Sequence, residues 1–395
     1  MGEPVLEVYL AHQDSGLNES YARLQLPASH YVLRDALEKA QLEPADEMLV
    51  GVMHCYAFPY LEQYLEDVKD LMLLNALAAR LSEMEPWQKD TFEGLLLMEA
   101  EKQEPVALSR LYDLAANADK CVVLYAATND RELGEFYAEN DFLPELAEVP
   151  DSVMEILDYE KIGRKMRIGE GGVFLRHGSG YVTQVDEITQ AFSTLDLELK
   201  APDYAALLEV SVPDTERSEM LSLPCEKPEL NAVLERLEVN GWQKAAWRCA
   251  DCRIPALADT FSLSDNMAIM NYAARMLSEL SQEDARKLKS LVRVTEVGDL
   301  EAAVSLMESL DDYQIRDSSS TRELAKRFLS ASMSEDEIDL LLPHLNCGSY
   351  CTAMAEQIGA VLTPYGLVER WDGLPVIREA NFQSRQESDG MSMEL

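Results

Sequence analysis

The groups most able to do chemistry in this 395-residue chain are its 72 Asp and Glu side chains, set against 34 Lys and Arg and only five His. Their densest run is Glu132, Glu135, Glu139, Asp141, Glu145, Glu148, Asp151, Glu155, Asp158 and Glu160, spaced two to four residues apart. A second group is Glu62, Glu66, Asp67 and Asp70, opposite Leu61, Leu65, Val68 and Leu71-Met72 if that stretch is helical. Carboxylates three or four apart on a helix stand about 5–6 Å from each other, and each such pair costs about 0.2–0.5 kcal/mol. Residues 81–160 contain 20 acids and 5 bases, so local cations cannot relieve the repulsion. On one helix this reads as a solvated face. Repeated along the chain, it reads as a row of acceptor-only groups comparable with one nucleic-acid strand, which carries a phosphate per roughly 3.4 Å of axis. The chemistry implied is capture of Arg and Lys from a basic partner.

Other constellations are weaker. Cys249-Ala250-Asp251-Cys252, joined by Cys347 and Cys351, could supply four thiolates to zinc, but the spacing departs from known zinc motifs. His54-Cys55 cannot easily turn base and nucleophile toward each other, and its flanking residues suggest a buried strand. Gly169-Glu170-Gly171-Gly172 reads as a turn, since no phosphate-loop pattern surrounds it. The expectation is therefore no catalytic residue, no metal, no cofactor and no enzyme.

The formal net charge of -38 accompanies a 47% hydrophobic composition, so the acids must be displayed on folded cores instead of a disordered chain. A field of this sign disfavours direct contact with nucleic acid or an anionic membrane. The longest apolar stretches are far shorter than the roughly 20 residues of a spanning helix, and Glu3, Glu7 and Asp14 replace a basic leader. Seven Cys suit reduced thiols. A cytoplasmic location is expected.

The elements that must position these groups recur. Leu24-Gln25-Leu26-Pro27 is answered by Leu221-Ser222-Leu223-Pro224, the stretch from Asn75 to Met84 by that from Asn271 to Leu280, and Arg131-Glu132-Leu133 by Arg322-Glu323-Leu324. Residues 1–195 carry a net of -21 and 196–395 a net of -17. The reading is a tandem duplication of an α+β module in an elongated chain of small subdomains. Module one covers 1–190, with subdomains near 1–60, 61–120 and 121–190; module two covers 200–380; 381–395 is a flexible tail. Strands are expected at Val5 to Leu10, Ala22 to Leu26 and Cys121 to Tyr125. Helices are expected at Ser29 to Lys39, from Leu61 to about Leu114, at Arg131 to Glu139 and at Ser152 to Met166, with a hairpin from Val173 to Val182 that turns at His177-Gly178-Ser179-Gly180. Lys161, Arg164, Lys165, Arg167 and Arg176 run against the overall sign, as helix-end cations or as an assembly surface.

Leu133-Gly134-Glu135-Phe136-Tyr137-Ala138-Glu139, Glu148-Val149-Pro150-Asp151, Leu157 through Arg164 and Gly180-Tyr181-Val182 together resemble the C-terminal part of ArdA antirestriction proteins. Val8-Tyr9-Leu10-Ala11 resembles the family's start, so the likeness spans residues 4–183, and the second half looks like a diverged copy. The resemblance implies an acidic protein that imitates bent B-form DNA and occupies the DNA groove of type I restriction-modification enzymes at their methyltransferase core. Its surface carboxylates would act collectively, as a homodimer in the family and here as a homodimer or an intrachain pseudo-dimer. Inhibition of another defence system, such as a CRISPR effector or other nuclease, and an acidic chaperone or scaffold for a basic DNA-binding protein are the alternatives.

Overall fold

A computed structural model describes residues 3–12, 21–43, 46–66, 68–102, 105–140, 142–146, 154, 156–295, 297–316 and 320–376. The fold is α+β, with four small three-stranded sheets and many short helices among the described residues. The chain opens with β1 (Leu6–His12), β2 (Tyr21–Leu26), α1 (His30–Lys39) and β3 (Met48–Cys55), and the sheet order is β2-β1-β3. The first two strands alternate buried and exposed residues, the mark of a sheet with one covered face. Ser29 caps α1 by accepting the Val32 N–H. His54-Cys55 ends β3, with the Cys55 thiol buried and pushed up to about 12 by that burial.

The chain divides into two compact units that do not follow its order: residues 1–8, 25–28 and 50–199 form one, and 9–24, 29–49 and 200–395 the other. In the first unit, α2 (Leu71–Ser82), α3 (Pro86–Ala100) and α4 (Leu108–Ala116) are followed by β4 (Cys121–Leu124), α5 (Asp130–Glu139), α6 (Tyr159–Glu170), β5 (Val173–Phe174) and β6 (Tyr181–Gln184). The expected helix from Leu61 is replaced by a 3-10 turn at Pro59–Tyr64 and an irregular stretch, because Leu65 closes that turn and the Asp70 carboxylate caps a new helix through the Leu73 N–H. The expected helix from Ser152 is α6, which starts at Tyr159 under an Asp158 cap and stops at Gly171 in the left-handed region, φ 65°. Helix α3 is buried on nearly every side, and Gly94 lets it meet Val182 of β6, where a Cβ would approach to 2.5 Å. The sheet is β4-β6-β5, antiparallel throughout, and its β5–β6 hairpin turns where the glycines predict it.

Helices α5 and α6 meet backbone to backbone. A Cβ on Gly134 would lie 1.9 Å from the Tyr159 carbonyl oxygen, and one on Gly163 would lie 1.8 Å from that of Asp130. Asp130 locks the crossing, accepting Arg167 Nε at 2.7 Å and Nη2 at 3.1 Å, and these hydrogen bonds hold its carboxyl below the usual range against partial burial.

The second unit contains β7 (Ala206–Ser211), β8 (Ser218–Leu223), α7 (Lys227–Arg236), β9 (Ala246–Cys252) and α8 (Ala258–Leu263). Next come α9 (Met267–Glu279), α10 (Gln282–Thr295), α11 (Leu300–Glu308), β10 (Tyr313–Arg316), α12 (Thr321–Leu329), α13 (Glu335–Leu341), α14 (Cys347–Gln357), β11 (Val361–Thr363) and β12 (Gly366–Arg370). Its sheets are β8-β7-β9 and β10-β12-β11, and β11–β12 is itself a hairpin. One core joins β7, β9, α9, α10 and α11; a separate cluster lies under α12, α13 and α14. The expected tail, 381–395, falls outside the described residues.

Within this unit α1 is fastened by a buried polar network. Lys289 Nζ of α10 contacts Asp35 Oδ1 at 3.2 Å and Glu38 Oε2 at 2.7 Å, Lys39 Nζ contacts Asp35 Oδ2 at 2.6 Å, and Tyr365 donates its hydroxyl to Asp35 at 2.9 Å. Asp35 and Lys289 are 6% and 5% exposed, so neither charge could be tolerated alone. Burial pushes the Asp35 carboxyl up, but Lys289, Lys39 and the Tyr365 hydroxyl outweigh it and hold the group below the ordinary carboxylate range.

Gly134→Ala and Gly163→Ala each destabilise the protein by at least about 2 kcal/mol, as overpacking does. Gly169→Ala, with nothing within 4 Å of its Cβ, is neutral or stabilising. Urea unfolding of the three variants checks the contrast, and equal effects would refute the helix crossing. Asp35→Asn costs about 3 kcal/mol near neutral pH by leaving Lys289 short of a partner. Because the folded Asp35 pKa is depressed, its contribution is complete above the ordinary value of about 3.9 and disappears as pH falls through the folded value. The stability gap between the native protein and Asp35→Asn therefore narrows as pH falls below about 4; a constant gap would contradict the network.

Candidate functional site

All the sequence-predicted carboxylates belong to the first unit, which can be built up residue by residue. Asp67, Asp141, Glu148, Asp151 and Glu155 lie outside the described residues. Of the rest, several are tied to the start of a structural element. Asp70 caps α2; Asp158 caps α6 by accepting the Lys161 N–H at 3.0 Å; Glu62 accepts the Cys55 N–H at 3.1 Å. Glu132, in the first turn of α5, accepts both the Thr128 hydroxyl at 2.7 Å and the Thr128 N–H at 2.8 Å, and these bonds, hydroxyl first, lower its pKa. A carboxylate at a helix N-terminus meets unpaired N–H groups and the positive end of the dipole, so these positions favour the charge that the ladder otherwise penalises.

Two rungs carry an exposed cation one helical turn away. Arg131 Nε reaches Glu135 at 2.9 Å and Arg164 Nη2 reaches Glu160 at 2.6 Å, contacts of a kind that contribute about 0.3–0.5 kcal/mol. Glu66, Glu139 and Glu145 are exposed and make no hydrogen bond or ion pair among the described residues. The ladder is thus three kinds of carboxylate: anchored to backbone, paired to arginine and open to solvent. Glu62, Glu66 and Asp70 do not share a helix face, because no α-helix spans them.

Of the cations expected as an assembly surface, Arg164, Arg167 and Arg176 have partners within the unit, and only Arg167 is partly buried. Arg164 and Arg167 serve Asp130 and Glu160; Arg167 also stands 5.6 Å from the Phe174 ring centroid. The Arg176 guanidinium lies 5.2 Å from the Tyr60 ring centroid and donates to the Tyr64 hydroxyl at 3.3 Å. Lys161 and Lys165 are exposed. Lys161, Arg164, Lys165 and Arg167 run along α6 from its first turn and Arg176 lies beyond it, so the helix-end reading fits only Arg167.

Several charged residues escaped the sequence reading because they are buried. Glu93 accepts the Arg176 N–H at 3.1 Å, and Asp113 accepts the Phe192 N–H at 2.8 Å. A cleft of about 860 Å³ in the same unit is lined by the apolar Val68, Leu73, Val106 and Phe192 together with Glu66 and Asp70. Among the described residues, no group of three or more His, Cys, Asp or Glu is arranged to hold a metal ion. Cys249 and Cys252 sit on β9, and Cys347 and Cys351 belong to α14 under a separate core. No helix among the described residues is long and apolar enough to cross a membrane.

The arrangement offers a basic surface more acceptors than charged donors, with several acceptors fixed in place by backbone hydrogen bonds. Comparison with protein-family models, with curated proteins and with solved structures gives no match.

Proposed function

We propose that this chain is a noncatalytic DNA mimic that occupies the DNA-binding groove of a type I restriction-modification enzyme at its methyltransferase core, in the manner of the ArdA proteins it resembles. The observation that carries the reading is the anchoring of the Asp70, Glu132 and Asp158 carboxylates at helix starts, in the same unit as the open carboxylates Glu66, Glu139 and Glu145. Phosphate contacts position a protein on DNA without reading sequence, and a fixed row of carboxylates answers the same Lys and Arg side chains. Neither nucleic acid nor membrane is a direct partner of a surface with this sign.

The reading includes duplication. It is supported by the matching sheet orders β2-β1-β3 and β8-β7-β9, and β4-β6-β5 and β10-β12-β11. It is also supported by a local device that occurs twice: Asn75 brackets Ala28, accepting its N–H at 2.7 Å and donating to its carbonyl at 3.1 Å, while Asn271 brackets Cys225 at 2.8 Å on both sides. Two copies in one chain would supply the charge of a homodimer, as an intrachain pseudo-dimer.

Distributed contacts make single substitutions weak. Glu139→Gln alone leaves inhibition of type I cleavage within about twofold, whereas Glu66→Gln, Asp70→Asn, Glu139→Gln, Glu145→Gln and Asp158→Asn combined reduce it by more than about tenfold. Asn caps a helix about as well as Asp, so the combined variant keeps its unfolding midpoint. Loss from the single change would indicate a discrete site, and full activity of the combined variant would overturn the surface altogether.

A further inference from the structure

The CxxC at Cys249-Ala250-Asp251-Cys252 does not read as a redox pair on a plain strand, because residues three apart point to opposite faces. The β7–β9 register changes that. Cys249 stands opposite Leu208, Asp251 opposite Leu207 and Cys252 opposite Ala206, so Ala250 is the extra residue of a β-bulge. Residues directly opposite in an antiparallel pair share a face, and Leu208 and Ala206, two apart on β7, share theirs. Cys249 and Cys252 therefore stand on the same, core-facing side of β9, in one apolar cluster with Ala206, Leu208 and Val210. Their spacing matches two residues along a strand, about 6.7 Å between Cα atoms, at the upper edge of the roughly 4.4–6.8 Å that a disulfide spans.

The two thiols differ in access. Cys252 is 1% exposed, while Cys249 is half-buried, its Sγ 3.2 Å from the Asp251 carbonyl oxygen and its N–H bound to the Ser262 hydroxyl at 2.9 Å. The thiol of Cys252 donates to Cys249 and favours its thiolate against the opposing effect of burial, whereas burial pushes Cys252 up. Four other thiols, Cys55, Cys121, Cys225 and Cys351, are buried and pushed up to about 11 or 12 by that burial. A partly accessible thiolate beside a buried partner thiol is the arrangement that oxidation selects.

We propose that Cys249 and Cys252 form an intrachain disulfide in the folded protein when it meets a peroxide. The Cys249 thiolate attacks one peroxide oxygen, the O–O bond breaks, and hydroxide leaves and takes the proton released by Cys249, forming water and a sulfenic acid on Cys249. The Cys252 sulfur then attacks the Cys249 sulfur, the S–OH bond breaks, and the hydroxyl leaves as water with the Cys252 proton. Two thiols and one hydrogen peroxide become one disulfide and two waters. The bond would flank Asp251, whose carboxylate accepts the Ser29 hydroxyl at 2.6 Å and the Tyr204 hydroxyl at 3.0 Å, so oxidation would strain the seat of α1 within this unit.

The test treats the native full-length chain with hydrogen peroxide, quenches it, unfolds it with iodoacetamide and digests it with trypsin, which releases Cys249 through Arg253 as one pentapeptide. The expected product is that peptide unalkylated and lighter by two hydrogens, with free thiols falling from seven to five and returning under dithiothreitol. Cys252→Ser should instead accumulate a dimedone-reactive sulfenic acid on Cys249, and Cys347→Ser should still lose two thiols. A doubly alkylated pentapeptide under conditions that oxidise other cysteines, or a disulfide joining either residue to a different cysteine, would overturn the proposal. Because the readout is made on the native sequence, a poorly folding variant cannot obscure it.

Discussion

Charge scarcity governs this structure: 34 cationic side chains stand against 72 carboxylates, so every buried acid must be given a donor and most of the rest must face water. The cations go where burial demands them. Lys289 and Lys39 meet Asp35, Arg167 meets Asp130, and Arg110 makes a two-point contact with Glu99. Other buried acids rely on neutral donors, as Asp251 does on Ser29 and Tyr204, and its pKa rises under burial despite them. What remains uncompensated is displayed outward, and that residue of negative charge is the surface to which the proposed function is assigned.

The same scarcity explains where exposed acids sit. Like charges at helical spacing repel, yet Asp70, Asn129 with Glu132, and Asp158 occupy helix starts where backbone N–H groups await an acceptor. Asp299 does the same for α11 through the Ala302 N–H. Capping turns a repulsive arrangement into one that locally supports its helices, and it fixes charges that would otherwise move with long side chains.

Much of the local structure was legible in the residues. Alternation gave β1 and β2, Ser29 announced α1, and Gly178 and Gly180 marked the β5–β6 turn. The stretch from Leu61 has apolar spacing that resembles a helix, but the controlling features are the 3-10 turn opened by Pro59 and the Asp70 cap that starts α2. Long-range facts were not legible. Asp35 meets Tyr365 across 330 residues, and the bulge at Ala250 exists only relative to β7. The carboxylate site was legible as composition and only partly as geometry: sequence spacing cannot tell a helix cap such as Asp158 from an open rung such as Glu139.

The most direct measurement is displacement of duplex DNA from a type I methyltransferase core by the full-length chain, at about 50 and 200 mM salt, beside an unrelated acidic protein of similar charge. This chain alone should displace DNA, with an affinity that falls steeply with salt, as carboxylates and phosphates compete for the same cations. Displacement unaffected by salt, equal displacement by the control, or none by this chain would contradict DNA mimicry.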